Sequence, residues 1–343
     1  MKITGLKIAI IVIALAFFLL PEAMSQDIHF TQIQATPLLI NPASTGVSDF
    51  NFRLANNYRN QWRQIEAPYN TYSISADQRV IKGHQTMGIG ASIVHDLSSG
   101  NHLIADKFHI SVSYSRFYRQ HQFVLGVQPG MVFRRFDQNE ITFGTQFSTV
   151  DNRFHSDLPS NEVLIDEKLA YFDCNAGFLW RAVIQEYRLA AGFAVYHLNR
   201  PVESFIKNNE EDHLPVRYHW HANMLIPLSE RIDLSPMVLY SATSGAREFI
   251  GGSLLGYSVR SVASPVKIVY ALASLRANPV RNMDAIMVGG GINILNFDLF
   301  LSYDINISAL RKATNFYGAF EISLIYRNLR TRIKDSTEPC YML

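Results

Sequence analysis

Cysteine and net charge are both scarce in this chain, and each shortage excludes a class of protein. The 343 residues include 2 cysteines, too few for the disulfide framework of a small secreted domain. We predict that they do not pair, because Cys174 falls on the apolar face of a strand and Cys340 lies in the C-terminal tail. Lys and Arg number 31 against 29 Asp and Glu, so the chain lacks the basic excess of nucleic-acid-binding proteins.

Long apolar runs are also missing, apart from one near the N-terminus. The run at residues 8–20 is shorter than the ~20 residues that a transmembrane helix needs. Lys2 and Lys7 precede it, and the small-x-small sequence at residues 23–25 follows it, which is the pattern of a secretory signal peptide. We therefore predict an exported protein whose residues 1–25 are a cleaved signal peptide.

What the sequence does contain is polar–apolar alternation, repeated along most of its length. Within residues 316–327, Phe320 and Ile322 fall on one face of a strand, and Tyr317 and Glu321 fall on the other, mostly polar face. Successive side chains of a strand point to opposite faces, so this period of two indicates a sheet between two different environments. About fourteen such segments can be recognised, at residues 50–62, 69–80, 85–97, 105–119, 121–136, 169–182, 186–198, 215–227, 231–242, 247–258, 264–275, 284–294, 297–306 and 316–327.

The connections between these segments are alternately short and long. Outer-membrane barrels have this arrangement, with short periplasmic turns and longer external loops. We predict an all-β fold, a transmembrane antiparallel β-barrel of about 14 strands over residues 50–327, in the cell outer membrane. Its apolar face would meet lipid and its polar face a hydrated lumen. Residues 26–49 are predicted to be an N-terminal periplasmic segment, and residues 328–343 a periplasmic C-terminal tail.

Short motifs along the mature chain carry more information than the alternation alone. They read QDIHFTQ at residues 26–32, PLLINPASTG at 37–46, YRNQW at 58–62, HLNRP at 197–201, SYDIN at 302–306 and GAFEISL at 318–324. In order and spacing they resemble the PorP/SprF family, the type IX secretion system membrane proteins of Bacteroidetes. One departure is Thr145, where an acidic residue is common in the family.

The resemblance implies a non-enzymatic component of the type IX secretion and gliding machinery. It implies contact with periplasmic ring proteins of the PorK and PorN type, with other type IX components and with outer-membrane lipid. It also implies support for the export or attachment of a surface protein. The barrel pattern by itself leaves an alternative open, a passive porin or a fatty-acid-transporter-like channel, and planar-bilayer conductance distinguishes the two.

Motifs for catalysis are missing from the sequence, which has no GxSxG, no HExxH and no glycine-rich phosphate loop. Polar side chains line the inner face of every such barrel, so their presence alone does not indicate an enzyme. We predict neither catalysis nor a cofactor. His219 and His221 share the inward face of one strand, but a metal site needs three or four convergent ligands. A polar lumen role is therefore the preferred interpretation of both histidines.

Two groups of residues are candidates for specific contacts. Phe30, Leu38, Leu39 and Ile40 are apolar residues outside any predicted strand, and exposed apolar groups at this density usually cover something. We predict that they bind a periplasmic partner, with a plug in the mouth of the barrel as the alternative.

The second group lies where a strand meets the external rim. Asp304, Asn306 and Ser308 are predicted to form a structural polar network that braces the wall and the base of a loop. A binding role for Asp304 is the alternative, because a buried carboxylate is kept only with partners.

Overall fold

Fourteen antiparallel strands close into a barrel, which confirms the fold class predicted from the sequence. The computed structural model describes residues 30–47, 50–63, 68–82, 85–98, 102–136, 146–149, 151, 153–155, 158, 167–205, 212–259, 264–278, 282–312 and 314–328. The predicted signal peptide, and all but Asn328 of the predicted tail, lie outside these residues. In chain order, the strands of the wall are β1 (Phe52–Gln61), β2 (Tyr69–Lys82), β3 (Gln85–Ser98), β4 (Leu103–Tyr118), β5 (His121–Phe136), β8 (Lys168–Ile184), β9 (Tyr187–Tyr196), β10 (Arg217–Pro227), β11 (Ile232–Ala242), β12 (Arg247–Ser258), β13 (Val266–Asn278), β14 (Asn282–Ile294), β15 (Phe297–Asn306) and β16 (Tyr317–Asn328).

Strand pairing follows the order of the chain with two exceptions. Strand β5 pairs with β8, because β6 (Phe147–Ser148) and β7 (Arg153–Phe154) form a separate two-stranded sheet between them. Strand β1 pairs with β16, from Phe52 opposite Asn328 to Gln61 opposite Ala319. This pairing of the first and last strands closes the wall, and we call it the seam.

The start of β1 and the end of β16 lie at the same end of the barrel as several very short turns, which we call the short-turn end. Two residues join β4 to β5, β8 to β9 and β14 to β15. In these turns Arg119, Gln185 and Leu295 have φ angles of 53°, 56° and 55°, as tight hairpin turns require. The alternation of connection lengths is incomplete, since β13 and β14 extend into the predicted long connection at residues 276–283.

The outer face of the wall is apolar, as expected for a surface in contact with lipid. Exposed side chains of this face include Ile74, Ile89, Ile110, Leu125, Phe172, Leu301 and Leu324. The predicted facing of Phe320 is confirmed, but that of Tyr317 is wrong, because Tyr317 is exposed. A register irregularity between Asp304 and Ile305 on β15 shifts the alternation at the start of β16.

Residues 30–47, which we call the N-terminal segment, lie inside the barrel, whereas the sequence predicted a periplasmic segment. It contains a single four-residue helix, α1 (Pro37–Ile40), and a 3₁₀ turn at Pro42–Ser44. No helix in the described residues has the length and hydropathy of a transmembrane span. The side chains of Phe30, Ala35 and Leu38 are almost fully buried, so the wall provides the cover that they need.

A charge on the outer face should prevent assembly, whereas a charge on an exposed inward position should not. We expect Leu324→Arg to cost ~2–4 kcal/mol, the usual penalty for arginine on the lipid face near the membrane midplane. Asn223→Arg is the control, since Asn223 lies on the inward face of β10 and is exposed. The heat-modifiable band in the outer-membrane fraction reports assembly, and equal bands for the two variants would contradict the assigned faces.

Candidate functional site

Four charged side chains meet inside the wall near the seam, and we call them the charge cluster. Arg59 on β1 donates to Asp304 on β15 at 2.9 Å and to Glu321 on β16 at 3.1 Å. Arg276 on β13 donates to the same oxygen of Asp304 at 3.0 Å. All four side chains are buried, and two positive groups face two negative ones, so each charge has an opposite partner.

The N-terminal segment completes this charge cluster, and its contacts there are the first of three anchors that bind the segment to the wall. The backbone N–H groups of Thr31 and Gln32 donate to the two oxygens of Glu321, at 2.7 Å and 3.0 Å. The Thr31 hydroxyl accepts from Arg59 and donates to Asp304 at 2.9 Å. Buried carboxylates need several donors, and here backbone and side chain of the segment supply part of them. The segment is therefore bound by specific polar contacts and does not merely occupy space.

A second anchor lies across the barrel, on β8 and β10. The Asn41 amide donates to the Phe178 carbonyl at 2.9 Å and to Nε2 of His221 at 3.0 Å. Nδ1 of His219 donates to the Ile40 carbonyl at 3.1 Å. Both histidines thus contact the N-terminal segment. Among the described residues, no group of three His, Cys, Asp or Glu side chains could hold a metal ion.

A third anchor holds the segment near the short-turn end. Asp77 on β2 accepts from the Gly46 N–H at 2.7 Å and from Nε of Arg53 at 2.8 Å. The Ser113 hydroxyl on β4 donates to the Thr45 carbonyl at 2.6 Å. The three anchors together bind the segment to β1, β2, β4, β8, β10, β15 and β16. Contacts on so many strands fix its position in the lumen.

Inward-facing glycines let the segment approach the backbone of the wall closely. A Cβ atom added to Gly88 would lie 2.1 Å from the Thr45 oxygen, and one added to Gly126 would lie 2.4 Å from the Ala43 nitrogen. Real Cβ atoms are not found at such distances. The glycines that contact the segment in this way lie on β3, β5, β8 and β9, and they are Gly88, Gly126, Gly177 and Gly192. These four glycines form a groove that holds the segment, and a side chain at any of them would occupy the space that the segment fills.

Apolar side chains of the inner wall cover the remaining surface of the segment. Ile33 and Ile40 pack against a buried cluster of Leu239, Ile250 and Met287. A second cluster joins Ala35 to residues of the seam, and a third joins Ala43 to β5 and β8. The lumen next to the segment is therefore a packed protein core, where the sequence predicted a hydrated polar surface.

The predicted partner-binding residues all lie in the N-terminal segment. Phe30 and Leu38 are buried, and Leu39 and Ile40 are half-buried. The Leu38 carbonyl accepts from Gln128 at 3.3 Å and the Leu39 carbonyl from the Tyr196 hydroxyl at 2.9 Å. Contact with a partner stays a prediction for these four residues, and the described conformation favours the alternative, a plug.

The predicted rim network divides into two parts. Asp304 belongs to the charge cluster with Arg59 and Arg276. Asn306 donates to the Thr314 hydroxyl at 2.9 Å and accepts from the Ser308 N–H at 3.0 Å, at the base of the following loop. The sequence indicated a polar group at this end of β15 but could not identify its opposite charges, which come from distant strands.

A buried aspartate contacts two histidines inside the wall, and the sequence did not predict this cluster. Asp173 on β8 accepts from Nε2 of His109 at 3.3 Å and from Nδ1 of His197 at 2.9 Å. The Asn175 side chain accepts from the His197 N–H at 3.0 Å, which secures the turn after β9. His197 has a φ of 58°, which is uncommon for a residue other than glycine. The HLNRP motif was the available signal, since it marks this turn.

The family comparison decides the identity of the chain. The model described as "Type IX secretion system membrane protein PorP/SprF" matches residues 23–326. The chain belongs to the PorP/SprF family. The resemblance drawn from the sequence motifs is thereby confirmed, and the protein is a type IX secretion membrane component of the outer membrane. No curated protein sequence matches the chain significantly.

Solved structures similar to this PorP/SprF protein are also outer-membrane barrels. A FadL homologue of Pseudomonas aeruginosa has 10% identity and a TM-score of 0.50, over 84% of this chain and 93% of that chain. The Pseudomonas putida toluene transporter TodX has 8% identity and a TM-score of 0.49, over 89% and 95%. At 10% identity, the similarity to the FadL homologue shows a shared fold alone.

Removing the central cation of the charge cluster should strongly destabilise this PorP/SprF barrel. Arg59→Met leaves Asp304 and Glu321 short of a partner, and breaking a buried ion pair costs ~3–5 kcal/mol. Arg119→Met is the control on an exposed turn, with an expected change within about 0.5 kcal/mol. Denaturant titration of the refolded barrels gives both free energies of unfolding. A change below about 1 kcal/mol for Arg59→Met would show that the cluster contributes little.

A methyl group in the glycine groove should displace the N-terminal segment. Gly126→Ala puts a Cβ atom against the backbone of Ala43, and overpacking of this kind costs ~1–3 kcal/mol. Gly256→Ala is the matched control, since a Cβ there meets nothing nearer than 3.6 Å. Planar-bilayer recordings should show added conductance for Gly126→Ala only. Conductance that is the same in both variants and the parent would show that the groove does not hold the segment.

Proposed function

We propose that this PorP/SprF protein is a non-enzymatic, closed barrel that serves type IX secretion through contact with other proteins. Its partners would be periplasmic ring proteins of the PorK and PorN type, together with other components of the machinery. Its role would be to support the export or attachment of a surface protein. The observation that carries the proposal is the filled lumen, because a barrel bound to its own chain at three anchors is poorly suited to passive diffusion.

Exposed apolar side chains at the short-turn end support the proposal that a protein partner binds on that side. Two connections there carry a large exposed side chain, Leu228 at 57% and Leu295 at 64% relative exposure. Tyr118 at 64% and Ile184 at 44% are exposed at the ends of β4 and β8, next to two further connections. Leu295 also adopts a positive φ, which costs a leucine about 1–2 kcal/mol compared with ordinary backbone. The turn geometry does not call for an apolar residue, so a strongly exposed leucine at this position supports a contact role.

Substitution of these turns tests the proposed contact. We expect Leu228→Ser/Leu295→Ser to leave a heat-modifiable barrel in the outer membrane, because both side chains are exposed. Recovery of ring proteins with the barrel from native membranes should fall, and export of surface protein should fall with it. Leu198→Ser is the matched control, because Leu198 is exposed at the opposite rim.

Three outcomes would contradict the proposal. Unchanged recovery in the double variant would exclude these turns as the contact, and equal loss in Leu198→Ser would show a general defect. Large, steady unit conductance from the parent protein in planar bilayers would instead favour the alternative, a porin or fatty-acid-transporter-like channel.

A further inference from the structure

The seam differs from the other strand pairs of the wall in how its two strands are connected. Strands that pair elsewhere follow one another along the chain, or are separated by one loop with its hairpin. Arg59 on β1 and Glu321 on β16 are 262 positions apart, although they lie directly opposite each other in the pairing register. No turn links the two strands, so side chains that bridge them have a larger share in holding them together.

Polar groups of the N-terminal segment contact both sides of the seam. On the β16 side, Glu321 accepts from the N–H groups of Thr31 and Gln32. On the β1 side, the Thr31 hydroxyl accepts from Arg59. The Gln32 amide donates to the Ser302 hydroxyl on β15 at 2.9 Å and to the Glu321 carbonyl at 3.3 Å. Two consecutive residues thus connect β1, β15 and β16.

Apolar packing repeats this bridge closer to the short-turn end. Ala35 is fully buried and packs in one cluster with Ala55 on β1, Ile325 on β16 and Phe300 on β15. The segment therefore lies over the seam from residue 31 to residue 35, first with hydrogen bonds and then with a tightly packed methyl group.

The opposite part of the segment is bound far from the seam. Asn41 contacts β8 and β10, which are on the other side of the barrel in the order of the strands. One segment thus has two attachment regions with different consequences. Loss of the region at Asn41 frees the lumen alone, whereas loss of the region at residues 31–35 also removes the bridge between β1 and β16.

We propose that the N-terminal segment clamps the seam from inside, so that filling the lumen and closing the wall are coupled. A barrel without residues 31–35 in place keeps the direct ion pair between Arg59 and Glu321 but loses the layer that connects the two strands. Release of the segment would then open the lumen and loosen the seam together. This coupling does not depend on which secretion component the barrel contacts.

Amide hydrogen exchange tests the clamp, because it measures the opening of each strand pair separately. In Thr31→Val/Gln32→Leu the side-chain hydrogen bonds are lost while the shapes are nearly kept. We expect exchange in Phe52–Gln61 and Tyr317–Asn328 to rise at least about tenfold, because four side-chain hydrogen bonds are lost, two of Thr31 and two of Gln32. Exchange in Leu103–Tyr118 should not change, since β4 lies away from the seam.

Asn41→Ala is the matched variant for the other attachment region. It should raise conductance in planar bilayers without faster exchange at the seam, whereas Thr31→Val/Gln32→Leu should raise both. Unchanged exchange at the seam in the double variant would overturn the proposal. So would a rise of equal size in β4, or an equal effect of Asn41→Ala on the seam, because either indicates general loosening.

If the double variant does not assemble, an engineered disulfide across the seam provides a second test. Asn57 on β1 and Ser323 on β16 lie opposite each other and both point inward. A disulfide from Asn57→Cys/Ser323→Cys should then restore the heat-modifiable barrel, because it replaces the clamp. Failure of this disulfide to restore assembly, once its formation is verified, would overturn the proposal.

Discussion

Burial of charge inside the barrel is the constraint on which the rest of the structure depends. Asp304 and Glu321 are removed from water by the wall and the N-terminal segment, and unpaired carboxylates in such a place would cost several kcal/mol each. Arg59 and Arg276 supply the opposite charges, and the segment supplies backbone N–H donors. The filled lumen and the charge cluster therefore stabilise each other, because the segment supplies donors to the carboxylates and the carboxylates bind the segment.

Chain connectivity explains why this cluster lies at the seam. Bringing together strands about 260 positions apart costs about 4 kcal/mol more in chain entropy than closing a turn of a few residues. Neighbouring strands elsewhere in the barrel avoid most of this cost through their short connections. The ion pair between Arg59 and Glu321, together with a segment that contacts both, therefore adds interactions between the two paired strands that no short connection joins.

The alternation of polar and apolar residues was sufficient to predict a barrel of 14 strands, because facing is a local property with a period of two. The position of the N-terminal segment was not predictable in this way. Apolar residues such as Phe30 and Leu38 could be buried either by a partner or by the wall. The contacts that place the segment inside the barrel join residues almost 300 positions apart, and these contacts cannot be read from the local sequence. Asp304 was recognised as part of a network, but its partner Arg59 was not, for the same reason.

A signal of the filled lumen is nevertheless present in the inner faces of the strands. On β2 the inward residues Thr71, Ser73 and Asp77 are polar, as expected beside water or polar groups. On β12 and β14 the inward residues Ile250 and Met287 are apolar, although the outward neighbours on these strands are apolar as well. Strands that are apolar on both faces are covered on both faces. The strands with weak alternation are thus the ones that contact the apolar side of the segment, and their composition indicates that the barrel encloses protein.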